Sequence, residues 1–253
     1  MSFTIISLNC CLWPVGLRAT LQSALKEERC KIIPNVLNMA DIGICQEVYN
    51  WKGSENKWIS LMKPTLHYNW IDSDVEEWII PTGIWTITRF SIISQSFIHF
   101  NATCLFAMTH RVGFLHTTML ISNKKVHIIN IHMISDEMVC LFECFEKIYK
   151  QQLEQLLSYI KSLDGEWVVG GDFNLNGSDL LIQWFLMQLI KIRDISYYHP
   201  TVNTCNNHIS FANHTSKHMK VDHFYTTMKL KDCKVLSENV SDHYPIMATV
   251  VFP

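Results

Sequence analysis

The chain has 253 residues, 48% of them hydrophobic and 17% charged, with a formal net charge of −2. That balance suits a folded globular protein with a sizeable core and excludes a disordered or collagen-like chain. It gives no strongly basic footprint for nucleic acid, and no apolar run reaches the roughly 18 residues needed to span a bilayer.

Residues 3–8 read as a strand ending at Asn9, followed by a loop over 10–16 that contains Pro14 and Gly16. Helical spacing covers 17–29, and 32–39 continues as a second helical piece with Pro34 near its start. Residues 41–45, DIGIC, form a buried strand that delivers Gln46 and Glu47. The stretch 49–81 is aromatic and irregular, and reads as a short helix with long loops. Four strands are expected at 83–88, 92–100, 114–121 and 126–130, the last two joined by a hairpin turn at Asn123-Lys124. The clearest helix lies within 136–161. There Phe145, Ile148, Tyr149, Leu153, Leu156, Leu157 and Ile160 recur at three- and four-residue spacing, with Glu143/Lys147 and Glu146/Lys150 on the other face.

An apolar strand at 167–170 then meets two glycines and releases Asp172 and Asn174, which share a face if the segment stays extended. Gly170 and Gly171 let backbone or ligand approach closely there. A helix is expected from about 179 to 190, a His- and Asn-rich loop over 199–220, and closing strands at 221–226, 234–236 and 246–252. No linker or internal repeat interrupts the chain, so one domain over 1–253 is expected.

The nine cysteines are scattered, odd in number and without CxxC pairs. They read as mostly buried free thiols in a reducing compartment, not as a secreted disulfide framework. The opening MSFTIISLN carries no basic region ahead of an apolar one and reads as a strand, not a signal peptide. A cytoplasmic monomer is the expectation. His199, Cys205, His208, His214 and His218 form a rival zinc set, but their segment lacks paired cysteines and reads as loop.

Polar groups recur wherever an apolar strand stops: Asn9, Glu47, His132, Asp172, Asn174, Asp222, Asp242 and His243. Converging on one rim, they would suffice for metal-assisted phosphoester hydrolysis. Glu47 is a hard oxygen ligand suited to Mg²⁺, which polarises a phosphoryl oxygen. His243 suits a general base, or a cation facing transition-state charge, with Asp222 or Asp242 setting its tautomer. Asn9 and Asn174 supply neutral amides, and His132 a second donor to phosphate. No Asp or Glu lies between Ser91 and Ile131, so His132 is expected to lack an acidic partner from a neighbouring strand.

The motifs SLN (7–9), CQEV (45–48), NIHM (130–133), GGDFN (170–174), VDHFY (221–225) and SDHYP (241–245) resemble those of the endonuclease/exonuclease/phosphatase superfamily, in the family order. That resemblance implies a deoxyribonuclease-I-like fold, a four-layered α/β sandwich of two mainly antiparallel β-sheets packed face to face and flanked by helices. It implies a Mg²⁺-dependent phosphodiesterase, with Mn²⁺ as an alternative ion. Glu47 would bind the metal with help from Asn9, and Asp172 would orient or deprotonate the attacking water. Asn174 would hold the scissile phosphate, and His132 and His243 would contact phosphate or act as acid and base. Asp242 would bind metal or orient His243, and Asp222 would support the same histidine.

The stretch 113–133 and the helix after it look most like the sphingomyelinase-like branch, so a phospholipid headgroup is favoured as substrate over nucleic acid. A nuclease or DNA-end phosphodiesterase on the same site is the alternative, and a non-catalytic binding module is a third. The Trp-x-Gly-Asp-x-Asn-Tyr-Arg extension of inositol-polyphosphate phosphatases is absent, since Leu175 and Asn176 follow Asn174.

Overall fold

A computed structural model of the chain describes residues 1–12, 22–49, 57–72, 82–103, 112–136, 144–200, 202–205 and 219–253. Its strands build two sheets. The first runs, in spatial order, β11 (Lys229–Val235), β12 (Ile246–Val251), β1 (Ser2–Leu12), β2 (Ile42–Val48), β4 (Trp85–Thr88) and β3 (Asn69–Asp72). The second runs β5 (Ser91–His99), β6 (Gly113–Ile121), β7 (Lys124–His132), β8 (Glu166–Asp172), β10 (Asp222–Thr226) and β9 (Ser196–Tyr198). Neighbours are antiparallel except β1 with β2 and β7 with β8.

Side-chain alternation along the strands sorts the core into layers. In β1, Phe3 and Ile5 join Ile42, Ile44, Val126, Ile128, Val168 and Phe224 in the layer between the sheets. Ile6, Leu8, Cys10 and Leu12 face the other way, toward α1 (Gln22–Leu37) and α2 (Lys57–Met62). On the outer face of the second sheet, Ile129, Ile131, Trp167, Val169 and Tyr225 pack against α3 (Phe145–Lys161) and α4 (Leu180–Ile192). The result is the four-layered α/β sandwich with helices on both outer faces.

Several elements differ from the sequence reading for local reasons. Helix α1 is continuous through Pro34 where two pieces are expected. Proline removes one helical donor, but Ile33, Val36 and Leu37 are buried on both sides of it and carry the helix three residues further. The β6–β7 turn is Ser122-Asn123, one residue earlier than expected: both take positive φ, 53° and 61°, and Ile121 pairs with Lys124, as a two-residue hairpin turn requires. Strand β11 begins at Lys229, five residues before the expected 234. Its alternating lysines mark an edge strand, and Asp232 at φ 51° interrupts its register against β12. Helix α3 begins at Phe145, and buries Tyr149, Leu153, Leu156, Leu157 and Ile160 of the expected stripe. The expected start of that helix over 137–143 lies outside the described residues. Helix α4 is capped by Asp179, whose carboxylate accepts the Leu181 N–H at 2.9 Å.

Candidate active site

At one end of the sandwich the inner faces turn from apolar to polar. The row Phe3, Ile5 continues as Ser7 and Asn9, the row Ile42, Ile44 as Gln46, and the row Val126, Ile128 as Asn130 and His132. Val168 leads through Gly170 to Asp172, and Asp222 opens β10 opposite it. Two polar tiers therefore sit above the apolar inter-sheet layer.

The lower tier joins the sheets. Gln46 Nε2 donates to Asn130 Oδ1 at 2.6 Å and lies 3.4 Å from Ser7 Oγ. Asn130 Nδ2 in turn donates to the carbonyls of Trp85 at 2.6 Å and Cys45 at 3.1 Å. All three side chains are fully buried, so each such bond fixes position as well as satisfying a desolvated group. Sequence reasoning did not single out these three as site residues, although each lies inside a quoted motif.

Asp172 is the hub of the upper tier. Its Oδ2 accepts Asn9 Nδ2 at 3.0 Å and lies 3.7 Å from His132 Nε2 and 3.8 Å from His243 Nε2, while Oδ1 accepts the Asn174 N–H at 2.8 Å. Gly171 makes this placement possible. It has φ 136°, and a Cβ there would meet the Ile131 carbonyl oxygen at 2.1 Å. At Gly170 a Cβ would meet the Phe224 ring at 2.4 Å. The close approach read from the two glycines is thus to backbone and core rather than to a ligand.

Glu47 lies two residues after Cys45, whose side chain belongs to the helix-side cluster. Simple alternation would send Glu47 the same way. A left-handed φ of 56° turns it into the cleft, where Oε1 lies 3.8 Å from His132 Nε2. Non-glycine residues held there are strained and cluster at functional sites. Glu47 and Asp172 are therefore the acids flanking His132. Burial pushes the Glu47 carboxyl above its ordinary range, against the pull of His132, and the neighbouring Asp242 adds to the push.

His243 Nδ1 meets Asp222 Oδ2 at 2.9 Å. Of the two acids offered by the sequence, Asp222 is the one that orients this imidazole. Asp242 instead accepts the Ser241 hydroxyl at 3.0 Å. Burial opposes charge on His243, but Asp222, Cys205 and Asp172 together outweigh it and hold its pKa well above the ordinary histidine value. Asn174, at φ 53°, donates its side-chain amide to the Met133 carbonyl at 2.8 Å. Thr204 supports the β10 end, its hydroxyl accepting the Val221 N–H at 3.0 Å, a role with no signal in the sequence.

Among the described residues, Asp172, Asp222 and His243 bring three possible metal-ligand atoms within 4.8 Å of one another. This group differs from the expected set of Asn9, Glu47 and Asp242. Two of its members are already bonded to each other, and a hard cation prefers oxygens. Asp242 and Asp172 both add to the push that raises the Glu47 pKa. That crowding of carboxylates, with Asp172 buried and Glu47 and Asp242 half-buried, fits a divalent cation by donor chemistry. Asn9 has its Oδ1 accepting the Cys11 N–H at 3.0 Å and its Nδ2 on Asp172. In this geometry it orients Asp172. Of the rival zinc set, His199 Nε2 pairs with the Tyr225 hydroxyl at 2.9 Å and Cys205 bridges to His243 through backbone. His208, His214 and His218 lie outside the described residues.

No family model matches the chain. In sequence it is 24% identical to a phospholipase C of Staphylococcus aureus over 195 residues, 66% of this chain and 59% of that protein. The chain thus spans about three fifths of the curated relatives it matches. Its fold is similar to that of sphingomyelinase C from Streptomyces griseocarneus, with a TM-score of 0.74 at 15% identity over 99% of this chain and 100% of the other. A beta-toxin variant from Staphylococcus aureus, solved with bound magnesium ions, gives 0.72 at 18% identity over 98% and 99%. A mannosyl-6-phosphatase from Bacteroides thetaiotaomicron gives 0.75 at 16% identity over 99% and 100%. The chain has the deoxyribonuclease-I-like fold and resembles the sphingomyelinase, beta-toxin and endonuclease/exonuclease/phosphatase proteins, whose named members are phosphoric ester hydrolases.

Proposed function

We propose that the chain is a Mg²⁺-dependent phosphodiesterase that hydrolyses a phospholipid headgroup such as that of sphingomyelin. The carrying observation is Asp172. Its Oδ2 is held by Asn9 at 3.0 Å and lies within 3.8 Å of both His132 Nε2 and His243 Nε2, which places one carboxylate between two imidazoles. A water beside Asp172 would be oriented by that carboxylate and would lose its proton to it as the new P–O bond forms. His243, whose pKa Asp222 and Asp172 raise, would face the charge that develops on phosphate and give its proton to the leaving oxygen as the scissile P–O bond breaks. Mannosyl-6-phosphatase shares the fold, so fold does not select the substrate. The phospholipase C and sphingomyelinase C relatives support the lipid reading.

Glu47 and Asp242, with Asp172, would hold the divalent ion. When bound, that ion supplies a Lewis acid for the phosphoryl oxygens. Four of the seven described cysteines are buried thiols, which supports the accompanying proposal of a reducing, cytoplasmic location. Among the described residues no helix is long and apolar enough to cross a membrane.

The test is a hydrolysis panel of sphingomyelin vesicles, plasmid and oligonucleotide DNA, and sugar phosphates, each with Mg²⁺ and with chelator. Chelator-sensitive release of phosphocholine is expected. Cleavage of DNA alone would move the same site to the nuclease reading, and no turnover on any arm would sink the phosphodiesterase proposal.

A further inference from the structure

Arg29 sits in the middle of α1 and is 5% exposed. Among the described residues its guanidinium donates only to main-chain carbonyls: Nη1 to Cys10 O at 2.8 Å and Val240 O at 3.1 Å, and Nη2 to Cys11 O at 2.9 Å. Among the described residues it forms no ion pair. Burying a guanidinium without a carboxylate is costly, and these three carbonyls belong to two segments far apart in sequence.

Both segments carry site residues. Cys11 has a left-handed φ of 48°, a strained conformation for a residue with a side chain. Arg29 grips the carbonyls on both sides of the Cys11 Cα, those of Cys10 and of Cys11 itself. That conformation aims the Cys11 N–H at Asn9 Oδ1, which turns the other end of the Asn9 amide onto Asp172. Val240 is two residues before Asp242 and three before His243. The arginine fork matches this task because it presents several donors in one rigid plane. A lysine ammonium cannot reproduce that geometry.

We infer that Arg29 is a positioning residue that staples the Asn9–Cys11 turn to the Val240–His243 segment and so sets the Asn9–Asp172–His243 geometry. The inference rests on the reading of that cluster as a phosphodiesterase site. The staple itself is measurable without turnover.

The test uses the full chain with Arg29→Ala and Arg29→Lys. Amide exchange is followed by mass spectrometry over residues 8–12 and 237–245, with the β6–β7 hairpin as internal control. Both variants are expected to exchange faster in both segments and not in the hairpin. On the substrate that the wild type cleaves, kcat should fall about 100-fold, with KM within about twofold of wild type. Methylguanidinium should restore protection in both segments, and part of kcat, in Arg29→Ala. A merely structural role would lower stability without that paired protection and rescue. Should Arg29→Ala fail to fold, Arg29→Lys decides by the same measurements. A folded variant with wild-type exchange in either segment overturns the staple, and unchanged kcat overturns its role in positioning. A wild type inactive on every phosphoester overturns the functional reading instead, and the exchange result still decides the staple.

Discussion

At the scale of single residues, His243 carries the sharpest consequence. Its imidazole is buried, yet Asp222, 2.9 Å from Nδ1, and Asp172, 3.8 Å from Nε2, hold its pKa well above the ordinary histidine value. Replacing Asp222 with Asn keeps the shape and removes the charge. On the proposed phosphodiesterase reading, the Asp222→Asn variant should lose about 10²–10⁴ in kcat. Because the acid is what raises the histidine pKa, the alkaline limb of its pH–rate profile should move to lower pH. A profile that stays in place would remove Asp222 from the role of orienting acid. Glu47 yields a second prediction. Mg²⁺ that binds only the folded state adds about 2.7 kcal/mol of stability at a hundredfold excess over Kd. Wild type should therefore melt higher with Mg²⁺, and Glu47→Gln should lose most of that rise. An equal rise in both proteins would place the ion elsewhere.

At the scale of elements, the sites depend on departures from ideal strands. Glu47, Asn174 and Gly171 all take positive φ, where the chain must leave regular alternation to aim a carboxylate or let two strands approach. Gly171→Ala tests this directly. The added methyl collides with the Ile131 carbonyl oxygen on the parallel strand β7, in a backbone conformation that costs about 1–3 kcal/mol for a side chain. Urea unfolding should show at least that loss, and the surviving fold should turn over more slowly because Asp172 is the next residue. Wild-type stability and turnover together would show that β7 and β8 can part without cost. The same departures explain what could be read beforehand. The strands bearing Asn9, Glu47, His132 and Asp172 were legible because apolar runs stop at polar groups. The left-handed turn of Glu47 was not, since periodicity assigns faces only to regular backbone. Likewise β11 was hidden by its lysines, and Pro34 overstated the break in α1, because tertiary burial overrides local preference at both places.

At the scale of the whole molecule, local motifs named the site residues and offered Asp222 or Asp242 to His243 but could not choose between them. Asp222 sits 21 residues from His243 and Asn9 sits 163 from Asp172, and only the packing of two sheets makes them partners. The same packing buries histidines that are not members of the site, and these carry a prediction for the entire fold. Burial pushes His116 and His199 down to about 4, and His223 down to about 3. His116 lies between the Tyr159 hydroxyl at 2.7 Å and His127 at 2.8 Å, and His223 Nε2 meets the Leu175 carbonyl oxygen at 2.9 Å. Their unfolded value is about 6.5. Above that pH neither state binds the proton and stability is complete. As pH falls from about 6.5 toward 4, the unfolded chain takes up protons that the folded one refuses. Each histidine then removes up to about 1.4 kcal/mol per pH unit. His243 is shifted the opposite way, so the stability it contributes is present below 6.5 and fades only at higher pH. Urea unfolding at pH 7.5 and 5.5, about one unit on either side of that value, should therefore give a clearly lower free energy at the acid point. His199→Gln keeps a polar atom for Tyr225 and removes one titration, so it should lose about one third of the drop due to these three histidines. The difference between the two proteins cancels every carboxylate they share. Equal pH dependence in wild type and His199→Gln would mean that this ring takes its proton in the folded state as readily as in the unfolded one.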